Sequence, residues 1–190
     1  MRILALCGSV RLRSANRALL LAAQKHAPEG IDVTIFESIR DLPHFDPDID
    51  GPERDPEDRP EDVLRLRRAL ATSDAMLIST PEYAHGLPGS LKNALDWLVS
   101  DPIMVGKPVA LIYGSTGEAN YAQENLKEVL TTMSAVVVSD AIVSVPAVRS
   151  KIDDNGRVSD PQLALQIETA LRNLAAFVSR GRTQSGHRHG

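Results

Sequence analysis

The chain has 190 residues, 43% hydrophobic and 24% charged, with a net charge of -4, which predicts one globular domain and excludes a collagen-like or coiled-coil chain. Its single cysteine, Cys7, excludes an internal disulfide and favours a reducing cytoplasm, and no cluster of Cys and His has zinc-site spacing. Only seven residues are aromatic, so we expect no nucleic-acid partner. No apolar run approaches the roughly 18 residues of a membrane span, so we expect no membrane partner. The lack of zinc-site spacing predicts no metal partner.

Short apolar runs alternate with amphipathic stretches along the chain, and no internal repeat interrupts them. The first run is too short to be the apolar part of a signal peptide and is predicted to be a strand. Five runs are predicted strands of a parallel sheet because they are apolar on both faces: 2–7, 32–36, 75–80, 108–113 and 135–138. A further run, 141–145, could extend the last strand after a bend.

Residues 41–62, hereafter the acidic segment, hold ten acidic residues against two arginines, together with five of the twelve prolines. This composition predicts an extended, solvated loop within one domain rather than a linker between two domains. A specific recognition surface is the alternative. Outside the acidic segment the chain carries a small excess of basic residues.

Capping residues mark the predicted helix starts. Ser14 can cap a helix, Pro88 suits the first residue of another, and 115–118 has the spacing of a capping box. Asp160 followed by Pro161 predicts the start of a C-terminal helix. Five strands that alternate with five helices indicate a doubly wound α/β domain, in which ligands bind beyond the carboxyl ends of the strands.

The predicted domain covers residues 1–180, because the helical spacing of apolar residues after Pro161 ends near Val178. The following segment, 181–190, is small and polar and predicts a disordered tail. Its His187 and His189 are interpreted as solvated side chains, with metal binding as the alternative.

The loop after the first strand, 8–16, has the features of a phosphate-binding turn. Val10 and Arg13 stand where a dinucleotide fingerprint needs glycines, so that fingerprint is absent, and the glycine-rich loop of P-loop proteins is absent too. The loop instead offers hydroxyl, amide and guanidinium donors: Ser9, Arg11, Ser14 and Asn16. Free N–H groups and the helix dipole favour an anion there, and a phosphate monoester fits. The alternative is that Ser14 and Asn16 only cap the helix.

Residues 80–97 begin with a loop that two prolines and two glycines hold in a fixed, exposed shape. Its Glu82, Tyr83 and His85 could act as acid and base groups, but no nucleophile or metal spacing accompanies them. Surface or hydrogen-bonding roles are therefore the alternative. Trp97 and the leucines before it are expected to face the core or a partner subunit.

The loop after the fourth strand, 113–118, is small and rich in hydroxyl groups. Gly114 and Gly117 would allow a planar ligand to approach the backbone closely. A tight turn followed by a capped helix explains the same residues, and both interpretations stand.

Two long motifs follow the first and third predicted strands. They are GSVRLRSAN and PEYAHGLPGSLKNALDW. These motifs resemble Gly-Ser-x-Arg-x-x-Ser-x-Asn, and Pro-Glu-Tyr-Asn followed by Pro-Gly-x-Leu-Lys-Asn-Ala-x-Asp-Trp, of the NADPH-dependent FMN reductase family. That family of flavodoxin-like proteins includes bacterial quinone, chromate and azo-dye reductases. The resemblance extends over about residues 1–178 and implies a five-stranded parallel sheet in the order 2-1-3-4-5, with helices on both faces.

The resemblance implies that FMN is the bound cofactor and that the three loops hold it. The FMN phosphate would be held by Ser9, Arg11, Ser14 and Asn16. The flavin ring and ribityl chain would contact, largely through backbone, Pro81, Glu82, Tyr83 and Ala84. The pyrimidine side would be closed by Ser115, Thr116 and Gly117. One departure is Ala84, which stands where the family often has Asn.

The resemblance also implies an oxidoreductase that passes electrons from NADPH or NADH through FMN to quinones or similar small acceptors by ping-pong turnover. FMN rather than a catalytic side chain would carry the chemistry. Family members associate, which implies a homodimer or homotetramer with a contact through the helix at 91–98. A flavodoxin-type electron carrier without nicotinamide activity is the alternative, and a flavin-free scaffold on the same fold is a third hypothesis.

Overall fold

A computed structural model describes residues 1–37, 39–51, 53–115 and 121–186. Within these ranges the strands form one parallel sheet: β1 (Arg2–Cys7), β2 (Asp32–Ile35), β3 (Ala75–Ser79), β4 (Pro108–Ser115) and β5 (Val136–Pro146). The strands lie in the order β2-β1-β3-β4-β5. The predicted doubly wound α/β fold with the order 2-1-3-4-5 is therefore confirmed.

Strand β5 contains most of the two apolar runs predicted at 135–138 and 141–145. Its pairing with β4 shifts between Val109, which pairs with Val137, and Leu111, which pairs with Ile142. The expected bend is therefore a bulge, in which extra residues of β5 leave the ladder without ending the strand.

The helices of the described ranges connect the strands: α1 (Ala15–Lys25), α2 (Glu61–Ala71), α3 (Gly89–Asp96), α4 (Tyr121–Thr132) and α5 (Pro161–Gly186). The Asn16 N–H donates to Ser14 Oγ at 3.2 Å, so α1 has the predicted N-cap. The Gln162 N–H donates to Asp160 Oδ1 at 2.9 Å at the start of α5. Pro88 has extended backbone and precedes α3 by one residue, instead of being its first residue.

Helix α5 continues past the predicted end of the domain and reaches Gly186. Residues 181–186 therefore differ from the predicted disordered tail. The hydroxyl groups of Ser179 and Thr183 donate to the carbonyls four residues earlier, and no proline ends the helix. The last four residues, which include both tail histidines, lie outside the described part of the chain. Although α5 is 26 residues long, neither it nor another described helix is apolar enough to cross a membrane.

The core lies on both faces of the sheet, because successive side chains of a strand point to opposite faces. On one face Ile3 and Ala5 of β1 pack with α1 and α5. On the other face Leu4 and Leu6 pack with α2, α3 and α4. The covered sheet leaves the carboxyl ends of its strands as the place where loops can build a site.

Trp97 and the leucines in and just after α3 belong to the part of the core on the α2, α3 and α4 face of the sheet. No surface is exposed on Trp97, Leu91, Leu95 and Leu98. Of the two expected environments, the core and a subunit contact, these side chains therefore lie in the core. The Trp97 Nε1–H also donates to the carbonyl of Pro43 at 2.8 Å. A subunit contact through this helix would have to use its exposed side chains instead.

The acidic segment is fastened to the α2 and α3 side of the domain by contacts that the sequence did not predict. The carboxylate of Asp50, which is 4% exposed, accepts hydrogen bonds from the guanidinium groups of Arg59 and Arg67 and from the hydroxyl of Ser100. Most of the other acidic side chains are exposed. The prediction of a solvated loop holds for them and is wrong for Asp50, because two arginines and a hydroxyl offset the cost of burying its charge.

Candidate functional site

The carboxyl ends of β3 and β4 open into a cavity of about 440 Å³, hereafter the first cavity. Its walls come from the start of α1, residues 80–82, the first turns of α4 and residues 147–150 after β5. Four apolar side chains line it, Ile78, Leu111, Leu126 and Val148, together with polar residues that include Asn16, Glu82 and Arg149. A cavity of this size with a mixed apolar and polar lining suits a planar organic ligand that carries a polar tail.

Gly8 lets the loop 8–14 lie directly against the end of β3. Its N–H donates to the carbonyl of Ser79 at 2.7 Å. A Cβ at this position would lie 2.4 Å from Thr80 Oγ1 and 2.8 Å from Thr80 Cβ. The close approach of the two loops therefore requires glycine at position 8.

Two of the predicted phosphate residues, Ser14 and Asn16, are buried beside the first cavity. Ser14 Oγ caps α1, as its spacing predicted. The Ser79 hydroxyl donates to Asn16 Oδ1 at 3.1 Å, and Asn16 lines the first cavity. This bond orients the Asn16 amide so that its NH₂ group, a donor, is available to an anion.

The other two predicted phosphate residues, Ser9 and Arg11, lie on the far side of the same loop. They line a cavity of about 360 Å³, hereafter the second cavity, together with Arg17 and Arg40. The Arg11 N–H donates to Ser9 Oγ at 3.3 Å. The structure therefore brings Asn16 together with Pro81 and Glu82 in the first cavity, and it does not bring Ser9 and Arg11 to that cavity.

Cys7 also lines the second cavity, although it is 8% exposed. The thiol donates to the Ser9 carbonyl at 3.4 Å. Burial raises the pKa of the thiol, and a backbone hydrogen bond at Ser9 and the charge of Arg17 only partly oppose this. A thiol with a raised pKa is a poor nucleophile at neutral pH. Cys7 therefore behaves as a small buried apolar residue of the core.

The loop after β3 contains a tight turn with strained backbone. The Tyr83 and Gly86 N–H groups donate to each other's carbonyls at 3.1 and 3.0 Å. The two residues between them, Ala84 and His85, have φ angles of 49° and 58°. This left-handed conformation costs a non-glycine residue roughly 1–2 kcal/mol, and Asn tolerates it better than Ala.

Glu82 and His85 each contact α4. The Ala122 N–H, in the first turn of α4, donates to Glu82 Oε2 at 3.0 Å, which satisfies a helix-end donor and places a negative charge at the positive end of the helix dipole. The His85 ring stacks on Tyr121 with centroids 4.5 Å apart. Tyr83, in contrast, is 55% exposed. Among the described residues, no cluster of acids, Cys and His could hold a metal ion.

At the end of β4, Gly114 lies against Val148 and also lines the first cavity. A Cβ on Gly114 would lie 2.8 Å from Val148 Cγ1, so the glycine allows the segment after β5 to approach closely, and the approach of a planar ligand at this glycine stays a prediction. Ser115 ends β4, and its side chain is outside the described part of the structure. Thr116 and Gly117, with the rest of the predicted capping box, also lie outside the described residues.

Arg149 is a residue of the first cavity that the sequence analysis missed. It lies in a short 3-10 helix, Val148–Ser150, after the left-handed Ala147 with φ of 50°. Arg149 Nη2 donates to the carbonyl of Arg13 at 3.3 Å, which links this segment to the loop before α1. No motif includes residues 147–150, so only the fold could bring Arg149 to the site.

Comparison with known proteins agrees with this architecture. The model of the family described as NADPH-dependent FMN reductase matches residues 1–149. A quinone reductase of Escherichia coli (strain K12) is 30% identical over 185 residues, covering 95% of this chain and 96% of the relative. A 2-hydroxy-1,4-benzoquinone reductase of Burkholderia sp is 32% identical, covering 94% and 96%. The solved structure of FerB, a flavoenzyme NAD(P)H:(acceptor) oxidoreductase from Paracoccus denitrificans, has a TM-score of 0.78 at 29% identity, covering 94% of this chain and 97% of that one.

Proposed function

The chain belongs to the NADPH-dependent FMN reductase family, and from this premise we infer that it is an FMN-dependent NAD(P)H oxidoreductase. The observation that carries this conclusion is the first cavity, which opens at the carboxyl ends of β3 and β4 where a doubly wound sheet binds its ligand. FMN, when bound, would supply the redox chemistry between the nicotinamide and a second substrate. The protein itself has to bind and orient the reactants.

The residues present fit the phosphate end of FMN. Asn16 presents an amide NH₂ beside the start of α1, whose first turn holds no acidic residue. Ser9 and Ser14 accept backbone hydrogen bonds through their hydroxyl oxygens, and each hydroxyl can still donate to a phosphate oxygen. Arg11 adds a positive charge on the same loop. Ser14 and Asn16 would therefore hold the phosphate at the first cavity, and Ser9 and Arg11, which the sequence resemblance also implies, would have to reach it from the second-cavity side of the loop.

The flavin ring would lie against the apolar side chains of the first cavity. Four residues after β3 would contact it, largely through their backbone: Pro81, Glu82, Tyr83 and Ala84. The loop after β4 would close the pyrimidine side with Ser115, Thr116 and Gly117. The paired backbone of the Tyr83 to Gly86 turn supports this role, because a preformed loop loses little conformational entropy when it binds.

Quinones or similar small aromatic compounds are the acceptors that this site would serve, with NADPH or NADH as the hydride donor. The two curated relatives carry names of quinone reductases. Tyr83, which follows the cavity residues Pro81 and Glu82, is 55% exposed. Donor and acceptor would use the same face of the flavin in turn, as the resemblance implies, which predicts ping-pong kinetics.

The chain would act in the cytoplasm as a homodimer or homotetramer. Its only cysteine is a buried, reduced thiol, which suits a reducing compartment. Val99 and Val105, after α3, are 59% and 68% exposed and could join subunits. Light scattering during size-exclusion chromatography measures the assembly, and a monomer at micromolar concentration would contradict this part of the proposal.

The flavin spectrum tests the proposed function directly. Purified protein incubated with FMN should be yellow, should bleach when NADPH or NADH is added without oxygen, and should regain its colour when a quinone is added. A protein that binds no FMN would refute the proposal. A protein that binds FMN but leaves both nicotinamides unoxidised would instead be an electron carrier.

A further inference from the structure

The first cavity contains a positive charge that no binding motif supplies. Among the described residues that line it, Arg149 is the only arginine or lysine. Arg11, the cation of the loop motif, lines the second cavity on the other side of residues 8–14. The two arginines therefore face the loop before α1 from opposite sides.

The fold holds Arg149 in place through its neighbours. Val148 packs against the backbone of Gly114, where a side chain on the glycine would leave no room. Arg149 Nη2 donates to the Arg13 carbonyl at 3.3 Å, and Nη1 lies 3.5 Å from Asp154 Oδ1. A guanidinium has five N–H donors, so these two contacts leave donors for a ligand.

The charges around the first cavity favour an anion at the α1 end. Arg149 and the Asn16 amide are the donors there, and the first turn of α1 contains no acidic side chain. The carboxylate of Glu82, which also lines the cavity, is already bonded to the Ala122 N–H at the start of α4. An elongated ligand with one anionic end would therefore bind with that end toward Arg149.

We propose that Arg149 binds the 5′-phosphate of FMN from the first-cavity side of the loop 8–14, and thereby adds to the preference of this protein for FMN over riboflavin. The proposal rests on the proposed function, because it requires that FMN is the cofactor. A phosphate monoester carries nearly two negative charges at neutral pH, and Arg149 is the cation that the described lining of the first cavity offers it, because Arg11 faces the second cavity. Arginine suits this role because its planar donors match phosphate oxygens.

The experiment measures the dissociation constants of FMN and riboflavin for the flavin-free protein by quenching of flavin fluorescence. Arg149→Ala should weaken FMN binding by about tenfold to a hundredfold, as expected for loss of a hydrogen bond between charged groups. It should leave riboflavin binding unchanged. Arg149→Lys should lose less affinity than Arg149→Ala, because it keeps the charge without the paired donors.

Arg157→Ala is the matched control. Arg157 is exposed on the same segment, so its replacement by alanine removes the same charge, but Arg157 does not line the first cavity. Its FMN affinity should equal that of the wild type. Added salt should also weaken FMN binding to the wild type more than to Arg149→Ala, because only the wild type has the extra charge pair to screen.

The outcomes separate this inference from the proposed function. If the wild type binds no FMN, the proposed function itself fails. If the wild type binds FMN and Arg149→Ala binds it equally well, the inference is overturned. An equal loss for FMN and riboflavin would also overturn it, because that loss would come from the shape of the cavity. The inference would also be overturned if Arg149→Ala raised only the KM for NADPH, because the phosphate bound by Arg149 would then belong to the hydride donor.

Discussion

The acidic segment and the loop 8–14 both follow strands of the same sheet, but they use their charged residues in opposite ways. In the acidic segment the carboxylate of Asp50 is buried and bonded within the chain by Arg59, Arg67 and Ser100. In the loop 8–14, the charged side chain of Arg11 is exposed beside the second cavity. Its neighbour Leu12 is 84% exposed, so this part of the loop is open to solvent. Charges that the chain satisfies internally stabilise the fold, whereas charges that face a cavity remain available to a ligand.

This contrast can be tested because the two kinds of substitution should affect different measurements. Changes around Asp50 should lower the free energy of unfolding and leave the flavin affinity of the folded protein intact. Changes in the loops around the first cavity should have the larger part of their effect on flavin binding.

Asp50→Asn should produce the largest loss of stability. It removes the buried charge shared by Arg59 and Arg67, so that Arg59 loses its carboxylate partner and Arg67 keeps only Asp101 at 3.6 Å, which costs about 3–5 kcal/mol. Urea unfolding at pH 7 measures the change. The FMN dissociation constant of the folded fraction should match that of the wild type.

Asp48→Asn is the control for this substitution. Asp48 is an exposed acid of the same segment, and its replacement makes the same change in net charge. Its effect on the free energy of unfolding should be within about 0.5 kcal/mol. Equal effects of the two substitutions would show that Asp50 contributes only through net charge.

The pH dependence of the free energy of unfolding should reveal the contribution of the Asp50 carboxylate. Burial alone would raise the pKa of Asp50, but hydrogen bonds from Ser100 and Arg59 and the charge of Arg67 outweigh it and lower the pKa. A carboxyl group whose pKa is lower in the folded protein than in the unfolded chain stabilises the fold at any pH above its pKa in the unfolded chain. This stabilisation is lost as the pH falls through the pKa of the folded state. The unfolding free energy of the wild type should therefore fall more steeply below about pH 4 than that of Asp50→Asn. Parallel pH profiles for the two proteins would contradict this assignment.

Gly8→Ala should affect both regions, because Gly8 joins the loop 8–14 to the end of β3. The new Cβ would overlap Thr80, so the loop has to shift, at a cost of about 1–3 kcal/mol in stability. FMN binding should weaken as well, since the shift moves the phosphate loop. Denaturant unfolding and flavin fluorescence measure the two effects.

Gly89→Ala provides the matched comparison. A Cβ on Gly89 meets nothing within 4 Å, and this residue begins α3. Alanine should therefore leave the protein equally or slightly more stable and should not change FMN affinity. A loss of FMN affinity in both glycine variants would mean that the effect of Gly8→Ala does not arise from contact with Thr80.

The sequence predicted those parts of the molecule whose cause is local. Apolar runs on both faces of a strand predicted the covered parallel sheet, and Ser14 and Asp160 predicted two helix starts, because each signal depends on residues within one turn or strand. Two motifs next to strand ends also predicted the edge of the sheet where the first cavity opens.

The parts that were missed depend on residues far apart in the chain. Nothing local distinguishes Asp50 from the other acids of its segment, since its partners Arg67 and Ser100 lie in later elements. Arg149 reaches the first cavity only because Val148 packs against Gly114. The separation of Arg11 from Asn16 likewise depends on how the loop 8–14 rests on β3, which no motif specifies.

Ala84→Asn should have the smallest effect of these substitutions, and it should be a gain. Ala84 has a left-handed backbone with φ of 49°, which Asn adopts at lower energy than Ala because its short polar side chain can bond locally. The free energy of unfolding should rise by about 0.5–1 kcal/mol, without loss of FMN affinity. At Ala71, an exposed helical residue at the end of α2, the same change should lower stability slightly, because Asn has a lower helix propensity than Ala. A gain at position 84 with a loss at position 71 would show that the loop facing the first cavity keeps backbone strain that the fold does not require. Equal losses at both positions would contradict that conclusion.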